Sequence, residues 1–177
     1  FINGLLLINP VPLETKDREA EMVYYQQTPA RIILELVEKG HLTGKDVFYD
    51  LGSGLGQVPI LVHLLSGVIA KGIEFEPAFC DYASGCAEAL NLPQVEFVNL
   101  DARQADYSDG TVFFMYTPFT GGLLQEMLEK LREEARRRRI RLFTYGPCTP
   151  EVSRQSWLTC VDENGVDLYK LGVFRSL

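Results

Sequence analysis

A chain of 177 residues suffices for one domain with a substantial core and is short for two. Its 46% hydrophobic and 23% charged residues exclude the disordered and fibrous classes, and no run approaches the roughly 20 apolar residues of a membrane span, so no membrane partner is expected. The net charge of −7 argues against nucleic acid as a general partner.

Residues 1–27 show weak periodicity interrupted by Gly4, Pro10 and Pro12, then a charged stretch from Glu14 to Glu21. They read as an N-terminal arm carrying one short helix. Phe1 to Pro12 lacks a basic leader and a small-residue cleavage site, which argues against a secretory signal. Thr28-Pro29 then predicts a helix start, Thr as the cap and Pro in the first turn. The helix Ala30 to Lys39 follows, with Ile33, Leu36 and Val37 on one face and Gly40 as its stop.

From there strand and helix patterns alternate. Val47 to Leu51 reads as a strand, Gln57 to Leu65 as a helix, Val68 to Glu74 as a strand and Pro77 to Leu90 as a helix. Strands over Val95 to Leu100 and Thr111 to Tyr116, a helix from Gly122 to Arg138 and a strand from Ile140 to Tyr145 complete the series. This succession predicts an α/β, three-layer fold around a mostly parallel sheet. The tail departs from it: Trp157 to Val161 and Val166 to Phe174 are strand-like and flank Asp162-Glu163-Asn164-Gly165, whose Asn-Gly predicts an antiparallel hairpin. Residues 28–177 thus form one predicted domain.

The chemistry concentrates at the ends of consecutive strands. Gly52-Ser53-Gly54-Leu55-Gly56 follows the first strand, and a dinucleotide fingerprint would need Gly or Ala where Gln57 stands. The Lys-Ser/Thr pair of a P-loop is missing as well. Asp50, just before the loop, repels a pyrophosphate but suits a ligand that carries an ammonium and a sulfonium, which points to S-adenosylmethionine. Glu74, ending the second strand, can accept both ribose hydroxyls. Asp101-Ala102, after the third strand, can meet an adenine amino group, and Phe75 can pack on the adenine face.

Together Asp50 to Gly56, Glu74 and Asp101 resemble the Rossmann-like (class I) S-adenosylmethionine-dependent methyltransferases. The resemblance implies a seven-stranded sheet ending in an antiparallel hairpin. It also implies a glycine loop holding the methionine part, Glu74 the ribose and Asp101 the adenine amino group. The wording Asp-Leu-Gly-Ser-Gly-Leu-Gly-Gln is most similar to the non-SET histone lysine methyltransferases of the telomeric-silencing type, where residues resembling Tyr25 and Thr28 lie near the cofactor. Their strand-four asparagine pair is replaced here by Tyr116 and Thr117.

Cofactor contacts are therefore expected from Tyr25, Thr28, Asp50, Gly52, Ser53, Gly54, Gly56, Gln57, Glu74, Phe75, Asp101, Ala102 and Tyr116. Tyr116 is also the candidate catalytic residue, and Thr117, Pro118 and Phe119 are the candidate acceptor contacts. A protein or small-molecule acceptor is expected rather than nucleic acid. The alternatives carried from the residues are a non-catalytic module that senses the cofactor and, disfavoured by Gln57, a nicotinamide-dependent oxidoreductase. Cys80, Cys86, Cys148 and Cys160 lack zinc-type spacing with His41 and His63, so no metal site and a reducing, cytoplasmic location are expected. The window from Arg132 to Arg141 sums to +4, leaving −11 elsewhere. Its Arg136, Arg137, Arg138 and Arg139 read either as favourable charge at a helix C-terminus or as a docking patch for an anionic partner.

Overall fold

The computed structural model describes residues 11–161 and 167–177. Its elements in chain order are α1 (Ala30–Gly40), β1 (Val47–Leu51), α2 (Gln57–Ser66), β2 (Ile69–Glu74), α3 (Pro77–Ala89) and β3 (Val95–Asn99). They continue as β4 (Val112–Tyr116), α4 (Gly121–Ala135), β5 (Arg141–Tyr145), α5 (Thr149–Ser153), β6 (Leu158–Cys160) and β7 (Gly172–Ser176).

Among the described residues these strands form one sheet in the order β3-β2-β1-β4-β5-β7-β6. The pairs β1–β2, β2–β3, β1–β4 and β4–β5 are parallel, and β7 lies antiparallel to both β5 and β6. The fold is the expected three-layer, Rossmann-like one.

Strand alternation assigns the two faces. Phe48, Phe114, Phe143 and Val173 pack with Ile32, Ile33 and Leu36 of α1 and Val58 and Val62 of α2. Tyr49, Phe113, Met115, Leu142 and Phe174 pack on the other face with Leu124, Met127, Leu128 and Leu131 of α4 and Val152 of α5. Each such fully buried side chain contributes about 1.5–3 kcal/mol. The chain order leaves β1 toward β2 on one side while β4 flanks it on the other, so a crevice opens at the C-terminal ends of β1 and β4. Asp50 and Tyr116 stand at those ends.

Several local expectations need correction. Thr28 does not cap α1: Pro29 occupies the cap position, no side chain caps the helix, and Thr28 is instead buried. Helix α4 ends at Ala135, not Arg138, because Glu134 is buried and draws both Arg137 and Arg138 back onto itself. The short α5 was not read from the sequence, although Thr149-Pro150 repeats the Thr-Pro start signal. Strand β7 begins at Gly172 rather than Val166, and the predicted Asn-Gly turn lies outside the described residues.

The described part of the arm, residues 11–27, holds no helix and is instead stitched to the body. Thr15 N–H, Thr15 Oγ1–H and Lys16 N–H donate to the Glu76 carboxylate at 2.9, 2.6 and 2.9 Å. Glu76 also caps α3 through Ala78 N–H at 3.1 Å. Farther along, Glu21 accepts from Leu123 N–H at 2.9 Å, Val23 N–H donates to Pro118 O at 3.1 Å, and Met22 bridges Phe119. The arm thereby crosses the mouth of the crevice.

Candidate active site

The crevice is a cleft at the C-terminal ends of β1, β2 and β4. Its floor is Asp50, Gly52, Ser53, Gly54 and Gln57, one wall is Glu74, Phe75, Leu100 and Ala102, and the other is Tyr116 to Phe119. The arm roofs it with Arg18 and Met22 to Gln26, and Thr28 lies beside them.

The glycine loop is held in its path by β2. Gly52 and Ser53 N–H both donate to Ile73 O, at 2.9 and 3.0 Å, and Gly54 N–H donates to Glu74 Oε2 at 2.7 Å. Three consecutive backbone donors are thus committed internally. They are the groups a phosphate would need, so the loop is unsuited to a pyrophosphate. The loop also requires glycine: φ is +79° at Gly52, where a Cβ would lie 2.6 Å from Pro118 Cβ, and +52° at Gly54, where it would lie 2.4 Å from the Tyr25 ring.

The electrostatics select a cation. Asp50 is 3% exposed and has no hydrogen-bond partner among the described residues. Burial raises its carboxyl well above the usual range, and the charge of Glu74 adds to this. Glu74 is likewise raised by burial, although backbone N–H groups of Glu76 (2.8 Å) and Gly54 oppose the shift. Tyr25 is pushed up to about 12 by burial, with the charges of Asp50 and Glu74 adding. Its hydroxyl donates to Gln57 Oε1 at 3.3 Å and its ring meets Phe79 edge-on at 5.5 Å. Two buried acids above a loop whose donors are spoken for fit a ligand bearing an ammonium and a sulfonium.

The end of β4 is built differently from its neighbours. Thr117 adopts φ +40°, rare for a β-branched residue, and is held there by donating to Tyr145 O at 3.0 Å and accepting from Cys148 N–H at 3.1 Å. Its hydroxyl is therefore committed to the scaffold, and Pro118 O already accepts from Val23. Tyr116 stacks obliquely on Tyr145 at 4.8 Å and has no hydrogen-bond partner among the described residues. Burial raises its phenol, with Tyr145 adding.

Two expected site residues do not reach the cleft. Gly56 (φ +80°) is needed for packing, since a Cβ there would meet Phe97 at 2.6 Å and Ala83 at 2.7 Å. Asp101 turns away from the cleft lining to Arg103, whose side chain and backbone hold its carboxyl below the usual range. Ser53 contributes backbone only: its hydroxyl is buried against β2 without a partner among the described residues. Sequence reasoning missed the roofing residues Arg18, Met22, Val23, Tyr24 and Gln26.

His41 ends α1, and His63 shares a 2.7 Å contact with Val68 O. The expected basic patch is also altered. Arg138 is turned inward to Gly110 O (2.7 Å), Tyr107 O and Glu134, which leaves Arg136, Arg137 and Arg139 exposed. Among the described residues no group of three or more His, Cys, Asp or Glu side chains can hold a metal, and no helix is long and apolar enough to cross a membrane.

The sheet order, the glycine loop and the acid at the end of β2 define a class I S-adenosylmethionine-dependent methyltransferase. Comparison with known proteins agrees, and the chain belongs to the family described as histone methylation protein DOT1, whose model matches residues 8–112. Among solved structures, an RNA methyltransferase from Salinibacter ruber in complex with S-adenosyl-L-homocysteine is 25% identical, with a TM-score of 0.64 over 85% of this chain and 92% of that one. The fold is also shared with the putative methyltransferase yhhF from Escherichia coli (16% identity, TM-score 0.67, 85% and 89% covered). Magnesium protoporphyrin IX methyltransferase (ChlM) from Synechocystis PCC 6803 with bound SAM shares it too (16% identity, TM-score 0.54, 82% and 76% covered). No curated protein sequence matches the chain. The protein is an enzyme, and its cofactor is S-adenosylmethionine.

Proposed function

We propose that the methyl group goes to a protein or small-molecule acceptor that enters beside Tyr116, with Thr117, Pro118 and Phe119 forming the wall. The observation that carries this reading is the uncommitted Tyr116 hydroxyl at the end of β4, between the cofactor cleft and solvent. The net charge of −7 supports an acceptor other than nucleic acid. The compartment in this reading is the cytoplasm, which suits the unbridged Cys80, Cys86, Cys148 and Cys160.

In this reading Asp50 attracts the ammonium of the cofactor, and the glycine loop packs closely against its amino-acid part. Glu74 accepts the ribose hydroxyls on its remaining lone pairs, while Phe75, Leu100 and Ala102 enclose the base. Tyr25, Gln57 and Thr28 close the cleft. The cofactor supplies an electrophilic methyl group on a sulfonium. The chain supplies alignment and exclusion of water, the two contributions that an in-line displacement with dispersing charge requires. Tyr116 orients the acceptor by a hydrogen bond. No histidine lines the cleft among the described residues, so the acceptor enters in its nucleophilic form. An anionic partner, if docked, meets Arg136, Arg137 and Arg139 on the side of the sheet opposite the cleft.

Labelled-methyl transfer from S-adenosylmethionine to lysate fractions tests the reading, with Glu74→Ala as control. Transfer by wild type into protein or small-molecule fractions, lost in Glu74→Ala, is the expected outcome. Label confined to the nucleic-acid fraction contradicts it.

A further inference from the structure

We propose that the methyl acceptor bears a carboxylate and that Arg31, beside Tyr145 at the outer edge of the cleft, binds it. This rests on the acceptor entering beside Tyr116. Tyr116 lines the cleft, and its ring packs at 4.8 Å on that of Tyr145, its partner in the β4–β5 register. The Tyr145 hydroxyl in turn accepts from a terminal nitrogen of Arg31 at 3.3 Å, and the same nitrogen donates to Tyr169 O at 3.3 Å. Two tyrosine rings therefore join the end of β4 to an exposed guanidinium.

Among the described residues no carboxylate pairs with Arg31, and Glu35, one helical turn on, is taken by Lys39 at 2.9 Å. Helix stability does not account for it either, because Arg31 falls in the first turn of α1, the end of a helix that disfavours a cation. Thr28, two residues before that helix, lines the cleft, so the turn that carries Arg31 adjoins the acceptor's entrance. The bonds to Tyr145 and Tyr169 use one terminal nitrogen and hold the guanidinium in place. Among the described residues its Nε and other terminal nitrogen make no hydrogen bond, which leaves them to meet a carboxylate in the planar two-point contact that a guanidinium makes best. One unmatched positive charge fits a monoanion. In a chain of net charge −7 it also offsets, at the entrance, a surface that otherwise repels an anionic acceptor. The carboxylate is the binding handle, and the nucleophile that takes the methyl group is a separate atom of the acceptor beside Tyr116.

Labelled-methyl transfer by the full chain tests this, with the active lysate fraction as acceptor at graded dilution. The fraction is either mock-treated or capped with carbodiimide and methylamine, which turns carboxylates into neutral amides. Wild type is expected to need about tenfold more of the capped than of the mock-treated fraction for half-maximal rate, as loss of a charge-assisted contact requires. Arg31→Ala should need the same tenfold excess of the mock-treated fraction, keep its maximal rate within about twofold, bind S-adenosylhomocysteine as wild type does and be indifferent to capping. Arg31→Lys should recover part of the loss, and Arg132→Ala should match wild type. Whether the small-molecule or the protein fraction is active tells a free acid from an acidic side chain. A wild type indifferent to capping, or equal half-saturation of Arg31→Ala and wild type, overturns the proposal and leaves the acceptor's place beside Tyr116 standing. The capping arm uses wild type alone, so it decides the matter even where a variant misfolds. Label confined to nucleic acid, or absent from every fraction, overturns both.

Discussion

Asp50→Asn is expected to melt at a higher temperature than wild type without cofactor and to bind S-adenosylmethionine about 10- to 150-fold more weakly. Both effects have one cause. The Asp50 carboxylate is buried beside Glu74 with no hydrogen-bond donor among the described residues, so the folded protein carries an uncompensated charge until a cation arrives. The folded-state pKa lies above the ordinary value of 3.8. A raised carboxylate pKa means that the native state binds the proton more tightly than the unfolded chain. Stability of the ligand-free wild type should therefore fall as pH rises from the ordinary carboxylate range through the raised pKa, and Asp50→Asn should lack that fall.

Cofactor affinity runs the opposite way. It is lost as pH falls through the same raised pKa, because a protonated Asp50 no longer attracts the ammonium. The size of the affinity loss follows from removing a charged hydrogen-bond partner, about 1.5–3 kcal/mol. Melting curves and calorimetric titrations across pH check both signs. An Asp50→Asn variant that is less stable and binds as wild type would refute the electrostatic account of the loop.

Gly54→Val should abolish cofactor binding and destabilise the protein by about 2–5 kcal/mol. The left-handed conformation (φ +52°) costs a branched residue about 1–2 kcal/mol. The added Cβ would also overlap the Tyr25 ring at 2.4 and 2.5 Å, a clash costing about 1–3 kcal/mol. Displacing Tyr25 opens the roof, and moving the loop breaks the 2.7 Å bond from Gly54 N–H to Glu74 that orients the ribose acid. Gly67→Ala is the matched control. Its φ is +74°, but nothing lies within 4 Å of the new Cβ, and it ends α2 away from the cleft. It should lose some stability and no affinity. Equal affinity of Gly54→Val and wild type would show that the loop does not face the ligand.

The parts of this site that were legible in the sequence are those encoded locally. A buried strand, an acid, a glycine run and a helix start are consecutive from Val47 to Gln57, and Glu74 closes the next strand, so pattern and spacing suffice. The arm was opaque because its order comes from partners far along the chain: Thr15 meets Glu76 and Glu21 meets Leu123 without any periodicity of its own. The pairing of Asp101 with Arg103 was not foreseen, because a strand-end acid looks the same whether it faces a ligand or a neighbouring guanidinium. The Arg103 two residues later was the available signal. Thr117 offered none, since φ +40° at a β-branched residue is imposed by Tyr145 and Cys148 from other elements. In the tail, the strand patterns were visible, but the insertion of β7 between β5 and β6 follows from tertiary packing rather than chain order.

Calorimetric titration of the wild-type protein with S-adenosylmethionine, S-adenosylhomocysteine and NADH tests the central claim most directly. Saturable one-site binding of the first two, weakened at low pH, with no heat from NADH, is the predicted result. Binding of NADH alone would contradict the assignment of the cleft to a cationic, pyrophosphate-free cofactor.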